Sequence, residues 1–429
     1  MAVTNNNNTL IENTTYKVVI PFYLYASLSF LLATTQLFTS SAAFTQHYFQ
    51  PHILAVTHAM ALGWGTMMIL GASHQLVPVL IEGKLFSDSL AYLSFVLAAV
   101  GIPLLVYAFY TFNMGAVAQW GSLLVNAAIV CYLINLAISM AKSKHVNVHA
   151  VFVFTSAIWL FLTTLAGLLL VYNFSYRLLS GNSLYYLPIH AHMGIIGWFV
   201  LLIIGVGSRL IPMFIISKYS NAKLLWMIYF LLNGGLISLI FIYLYTFQTT
   251  FYWLPIAVIV AALVLFGYYC YQAFDQRIRK QVDEQMKVSL ISVLMMLLPA
   301  IFLVLIITLL LVSSQNIQLT MVYGFSVFFG WITAIILGMT FKTLPFIVWN
   351  KVYHQKAGAG KTPNPKELFD NKIFIIMAIC YLTGFILFIS GVLLLKTSLV
   401  SFAAFLLLIT ALLYNWNVLK ILTHKAQIK

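Results

Sequence analysis

His58 opens the stretch His58-Ala59-Met60-Ala61-Leu62-Gly63-Trp64, and 134 residues later His192 opens a similar one, His192-Met193-Gly194-Ile195-Ile196-Gly197-Trp198. A third histidine, His190, precedes the second copy by two residues. All three lie in apolar runs, where an ionisable ring is costly unless it faces a partner or a cavity, so each is a candidate functional group. Neutral imidazole is the commonest protein ligand for transition metals and a standard axial ligand of haem iron. For one isolated histidine, an interhelical hydrogen bond or an interfacial cap is the simpler account. Two at one repeat position favour ligation. His58 and His192 are therefore expected to grip one b-type haem from two neighbouring helices. His190 is rotated about 200° from His192 on the same helix, so it is expected to support that site or to bind copper.

The repeat extends beyond these histidines. Gly63, Gly71 and Pro78 recur as Gly197, Gly205 and Pro212. A third copy, Gly330-Trp331 with Gly338 and Pro345, follows 133 residues after the second, with Phe325 in the histidine slot. Similarity at a fixed interval marks a repeated structural unit. Within each copy the two glycines are eight residues apart on one helix face, which suits close helix packing. The same opening at Gly63 and Gly197 would admit the plane of a porphyrin, with Trp64 and Trp198 beside it.

The elements that must carry these residues are membrane helices. Of the 429 residues 62% are hydrophobic and only 7% charged, with mean hydropathy +1.00. Such a composition belongs to a polytopic membrane protein. Twelve apolar segments are long enough to span a bilayer, near 17–39, 53–78, 88–110, 117–141, 149–173, 188–213, 222–246, 251–274, 288–312, 318–348, 373–394 and 398–420. The fold expected is all-α, a single membrane domain over 1–429 built from three pseudo-threefold-related units of four helices, about 17–141, 149–274 and 288–420. The repeated helices are then spans 2, 6 and 10.

The net charge of +14 could suggest nucleic acid, but the cations sort by side of the membrane. Only Arg177 and Lys396 fall opposite the other Lys and Arg residues. The positive-inside rule then puts both termini in the cytoplasm, with basic loops beside anionic headgroups. The Asn-rich start lacks the basic region of a signal peptide. Cys131, Cys270 and Cys380 are single and read as packing residues. Gly360-Lys361-Thr362 imitates a phosphate-binding loop without its first glycine. All eight acids lie in the N-terminal flank or in inner loops, which argues against a carboxylate proton relay through the bilayer. His74, Arg209 and Lys342, near the inner ends of spans 2, 6 and 10, read as snorkelling or capping residues. His47 and His52 read as interfacial. His145, His149, His354 and His424 form no recognisable constellation.

Twelve spans, three four-helix units and histidines near the outer ends of spans 2 and 6 together resemble subunit I of the haem-copper oxidases. That resemblance implies a haem ligand at His58 and a metal ligand at His192 or His190, and an electron donor, quinol or cytochrome. Span 7 has no histidine and span 10 carries Phe325, so the usual six-histidine oxygen reductase site is not assembled. In motif the chain is similar to the NnrS-type branch, haem and copper membrane proteins linked to nitric oxide stress in bacteria. The similarity rests on His58, Gly63, Gly71 and Pro78, and on His190-Ala191-His192-Met193. It implies a haem-binding and copper-binding protein of the bacterial cytoplasmic membrane, an oxidoreductase of nitric oxide or respiratory metabolism. A solute transporter or channel without haem is the alternative, although transporters usually show two related halves rather than a threefold period.

Overall fold

The structure, a computed structural model, describes residues 16–81, 83–143, 147–245, 248–312, 316–353 and 362–426. His145, His354 and the Gly360-Lys361 pair lie outside the described residues. Twelve helices are long and apolar enough to cross a membrane. They are α1 (Tyr16–Thr39), α2 (Pro51–Leu80), α3 (Asp88–Tyr110), α4 (Ala116–Ala141), α5 (Val148–Tyr176), α6 (Ser183–Ile215), α7 (Ala222–Tyr245), α8 (Thr249–Asp275), α9 (Glu284–Val312), α10 (Ile317–Tyr353), α11 (Asn371–Leu393) and α12 (Thr397–Leu422). Each overlaps one span expected from hydropathy, with ends within five residues. No strand occurs among the described residues, so the protein is an all-helical, multi-pass membrane protein.

Burial separates inner helices from outer ones. The apolar windows of α2, α6 and α10 are 72%, 78% and 83% buried, whereas no other helix exceeds 56%. The helices that carry the repeated Gly-Trp stretch thus form the centre, and hairpins such as α3–α4, α7–α8 and α11–α12 pack on the outside. Glycines explain how close the layers come. A Cβ on Gly71 would meet Phe22 of α1 at 2.7 Å, and one on Gly205 would meet Phe152 of α5 at 2.4 Å.

Each inner helix loosens at the same place. Residues Ala59–Thr66, Met193–Val200 and Ser326–Ile332 are π-helical. Met67 N–H reaches Leu62 O and Leu201 N–H reaches Ile196 O, each five residues back. The third copy breaks further, with Gly330 at φ −89°, ψ −113° and its carbonyl accepting from Tyr381 Oη at 2.7 Å. Such wide turns are rare and concentrate at functional sites.

Indole–hydroxyl bonds clamp these loosened turns to one another. Trp64 Nε1 donates to Thr333 Oγ1 at 3.1 Å, tying α2 to α10, and Trp198 Nε1 donates to Thr66 Oγ1 at 3.0 Å, tying α6 to α2. Thr66 and Thr333 occupy the same repeat slot; Val200 stands in the slot between them and offers no acceptor.

At the end of the bundle bearing the basic loops, the charges are more organised than snorkelling predicts. Lys342 of α10 is paired with Asp283, which also caps α9 by accepting from Met286 N–H at 3.1 Å. His74, expected to snorkel or cap, is instead 1% exposed and packed between Phe22 and Tyr132. Its helix face points inward, so the ring joins the core. Arg209 is exposed. Asp370 caps α11 by accepting from the backbone N–H groups of Lys372 and Ile373, which hold its carboxyl below the usual 3.8.

Two expectations follow. Thr333→Val or Thr66→Val strands a buried indole N–H and should lower stability by about 1–3 kcal/mol, read as an earlier thermal transition of the purified protein. Because its folded pKa is depressed, Asp370 stabilises the fold above its unfolded pKa and ceases to do so as acid protonates it. The native protein should then outlast Asp370→Asn near neutrality, with the two melting curves converging as the pH falls below 3.8.

Candidate cofactor site

His58 sits at the last α-helical turn before the wide turn of α2, and His192 at the equivalent place in α6. Each ring folds back along its own helix. His58 Nδ1 lies 2.8 Å from Leu54 O, and His192 Nδ1 lies 2.7 Å from Pro188 O, the counterpart of Leu54 in the repeat. His190 Nδ1 is 3.0 Å from Thr163 O of α5. A carbonyl oxygen only accepts, so in all three neutral rings Nδ1 carries the proton and Nε2 keeps its lone pair. This is the tautomer that ligates a metal through Nε2, with the other nitrogen oriented by a backbone carbonyl.

All three histidines line one cavity of about 650 Å³ among the inner helices. Pockets for small molecules and cofactors commonly measure about 300–1,000 Å³. Its other walls are mainly Leu, Ile, Val and Phe side chains of α2, α5, α6, α9 and α10, with Trp198, Tyr243, Tyr252 and Tyr323 among them.

The ring beside His58 is that of His190, not His192. Their centroids are 6.3 Å apart with planes 17° from parallel. His192 instead faces Tyr323 of α10, with ring centroids 5.9 Å apart and planes at 20°, and Tyr323 Oη is 3.2 Å from Nε2. With Nδ1 protonated, the phenol is the donor. These two pairs are counterparts, since 192 follows 58 by 134 and 323 follows 190 by 133. A residue in the histidine slot of one inner helix therefore meets the residue two before that slot on another. Equal slots do not meet each other. In the third copy the slot residue, Phe325, stacks on Phe388 at 3.8 Å, and the position matching His190 and Tyr323 is Val56.

Gly167 makes room for the His190 ring: a Cβ there would lie 2.9 Å from His190 Cε1. Gly63 and Gly197 have a different task from the porphyrin-facing one their spacing suggested. Their Cβ positions would strike Ser29 Cβ at 2.8 Å and Trp159 Cγ at 2.6 Å, so both serve contact with α1 and α5, and neither lines the cavity. Trp64 likewise lies away from it, stacked on Phe30 at 4.5 Å. Gly324, beside Tyr323, was not singled out from the sequence. It lines the cavity, and a Cβ there would meet nothing within 4 Å.

Among the described residues, no three His, Cys, Asp or Glu side chains converge as a metal-binding group. His52 packs on Tyr110 and His47 on Tyr48. His149 Nδ1 meets Ser208 Oγ at 3.0 Å, and His424 Nε2 meets Tyr353 Oη at 2.9 Å. No known family model matches this chain, and no curated protein matches it in sequence.

The glycines give a paired prediction. Gly324→Ala relieves a helical glycine without a clash and should stabilise the protein by about 0.5–1 kcal/mol. Gly197→Ala drives a methyl into Trp159 and should destabilise it by about 1–3 kcal/mol. Thermal denaturation of the two variants side by side checks both signs.

Proposed function

We propose that this protein is a haem-binding integral membrane protein of the bacterial cytoplasmic membrane, akin to subunit I of the haem-copper oxidases and to the NnrS-type branch, serving respiratory or nitric oxide metabolism. On this reading the helices form three related four-helix units with both termini in the cytoplasm. The observation that carries the proposal is the His58–His190 pair, two near-parallel imidazoles 6.3 Å apart with both Nδ1 atoms engaged by carbonyls.

The dimensions favour a shared ion. Imidazole nitrogen bonds to a first-row metal at about 2.0–2.1 Å, so an ion held between two opposed rings sets their centres roughly 6 Å apart. A b-type haem needs two protein ligands, the number the pair supplies. Copper, the other metal implied by the resemblance, commonly draws on more donors than these two rings. Haem held there by His58 and His190 would supply one-electron redox chemistry. The protein's own part is to hold two imidazoles in the ligating tautomer, exclude water with the apolar walls, and clear space for His190 at Gly167. An electron carrier fits this arrangement better than an oxygen reductase does.

The test is optical. Protein purified from cells supplied with haem precursor should show a Soret band and about one haem per chain. His58→Ala and His190→Ala should each cut bound haem about tenfold or convert its spectrum, while His192→Ala should leave the low-spin bands in place. A colourless native protein that takes up no haem on reconstitution would overturn the proposal, and flux of a solute through proteoliposomes of that protein would favour a transporter.

A further inference from the structure

We infer a second binding site in the same cavity, at the His192–Tyr323–Gly324 corner, for an uncharged long-chain amphiphile that enters from the bilayer and carries a hydroxyl or carbonyl head. The site does not need a metal on His58 and His190.

The walls decide the charge of the occupant. Among the described residues no Asp, Glu, Lys or Arg lines the cavity, so an ionised head would be stripped of water with nothing of opposite sign to meet it. A neutral hydroxyl or carbonyl needs only a donor or an acceptor. The corner offers both within one contact, because Tyr323 Oη, which donates to His192 Nε2, keeps its lone pairs for a second donor and can turn its proton to an acceptor. Thr320, one turn before Tyr323 on α10, also lines the cavity, its hydroxyl donating to Asn316 O at 3.1 Å and keeping lone pairs to accept.

Shape points the same way. Gly324 follows Tyr323 on α10 and faces open space, although nothing there packs too closely for a side chain. A helical glycine costs about 0.5–1 kcal/mol against alanine; Gly324 leaves its backbone open on the cavity side, where a ligand can approach it closely. The apolar part of the wall continues along Leu303, Ile306 and Leu310 of α9, whose neighbours Ile301, Leu305 and Val312 are exposed on the outer surface. Leu310 itself is 36% exposed, so the lining runs out to the lipid-facing side. An amphiphile can thus leave its tail along α9 and place its head against Tyr323.

A photoreactive hexadecanol with a diazirine in its chain tests the site on the full-length protein in nanodiscs, with hexadecanoate bearing the same group as the charged control. Cross-links should fall on peptides covering 183–200 and 317–329, saturate, and be displaced by unlabelled hexadecanol. Gly324→Leu should cut that labelling about tenfold and Tyr323→Phe several-fold, with labelling of the lipid-facing helices unchanged. Gly324→Ala, which leaves room, should label like the native chain and guards against misfolding of the leucine variant. Labelling that is unsaturable and spread over outer helices, that persists in Gly324→Leu, or that is equal for the carboxylate would overturn the inference. Running the same probe on His58→Ala separates this result from the haem proposal, since the alcohol site should survive there.

Discussion

In a bilayer core no water competes for hydrogen bonds, so every buried N–H must find its acceptor inside the protein. The central helices are organised by that requirement. Two indoles and three imidazoles each direct one N–H at a protein oxygen, the hydroxyls of Thr333 and Thr66 and the carbonyls of Leu54, Pro188 and Thr163. The indole bonds fix the inner helices against one another. The imidazole bonds fix ring orientation and, with it, which nitrogen remains available for chemistry.

Loosened turns are what let both sets coexist. In a regular α-helix a residue's N–H follows the carbonyl four residues earlier, and the side chains march at a constant angle. Widening one turn after His58 and after His192 rotates everything beyond it, so the tryptophans six residues on point at neighbouring inner helices while the histidines face the cavity. Gly330 gives the third helix a sharper version of the same break, and Phe325 fills with an aromatic stack the place where the other two copies keep a titratable ring.

The cavity inherits this arrangement as two related ring pairs with different chemistry. His58 and His190 lie side by side on the cavity wall, each with Nδ1 held by a carbonyl and Nε2 not committed by that bond. His192 and Tyr323 satisfy each other and leave only hydroxyl chemistry on offer. One contact recurring between the inner helices thus yields an imidazole–imidazole pair and an imidazole–phenol pair, with no Asp, Glu, Lys or Arg among the described residues that line the space between. Lys342 and Asp283, both partly buried, are kept at the basic-loop end and pair with each other there.

Composition and periodicity determined by themselves that the chain holds twelve helices long and apolar enough to cross a membrane, because a run of some twenty apolar residues is a property local to each segment. They also singled out His58, His190 and His192, since a polar ring in an apolar run stands out wherever it points. What they could not carry was the pairing. Equal repeat positions suggested His58 with His192, and helical phasing rightly separated His190 from His192 but said nothing of what lay across the gap. Only the packing of α2, α6 and α10 showed that a slot residue meets its neighbour's residue two positions earlier. The same holds for Gly63 and Gly197 against Gly324: a missing side chain is visible in the sequence, but whether it admits a helix or a ligand depends on what the fold brings opposite it.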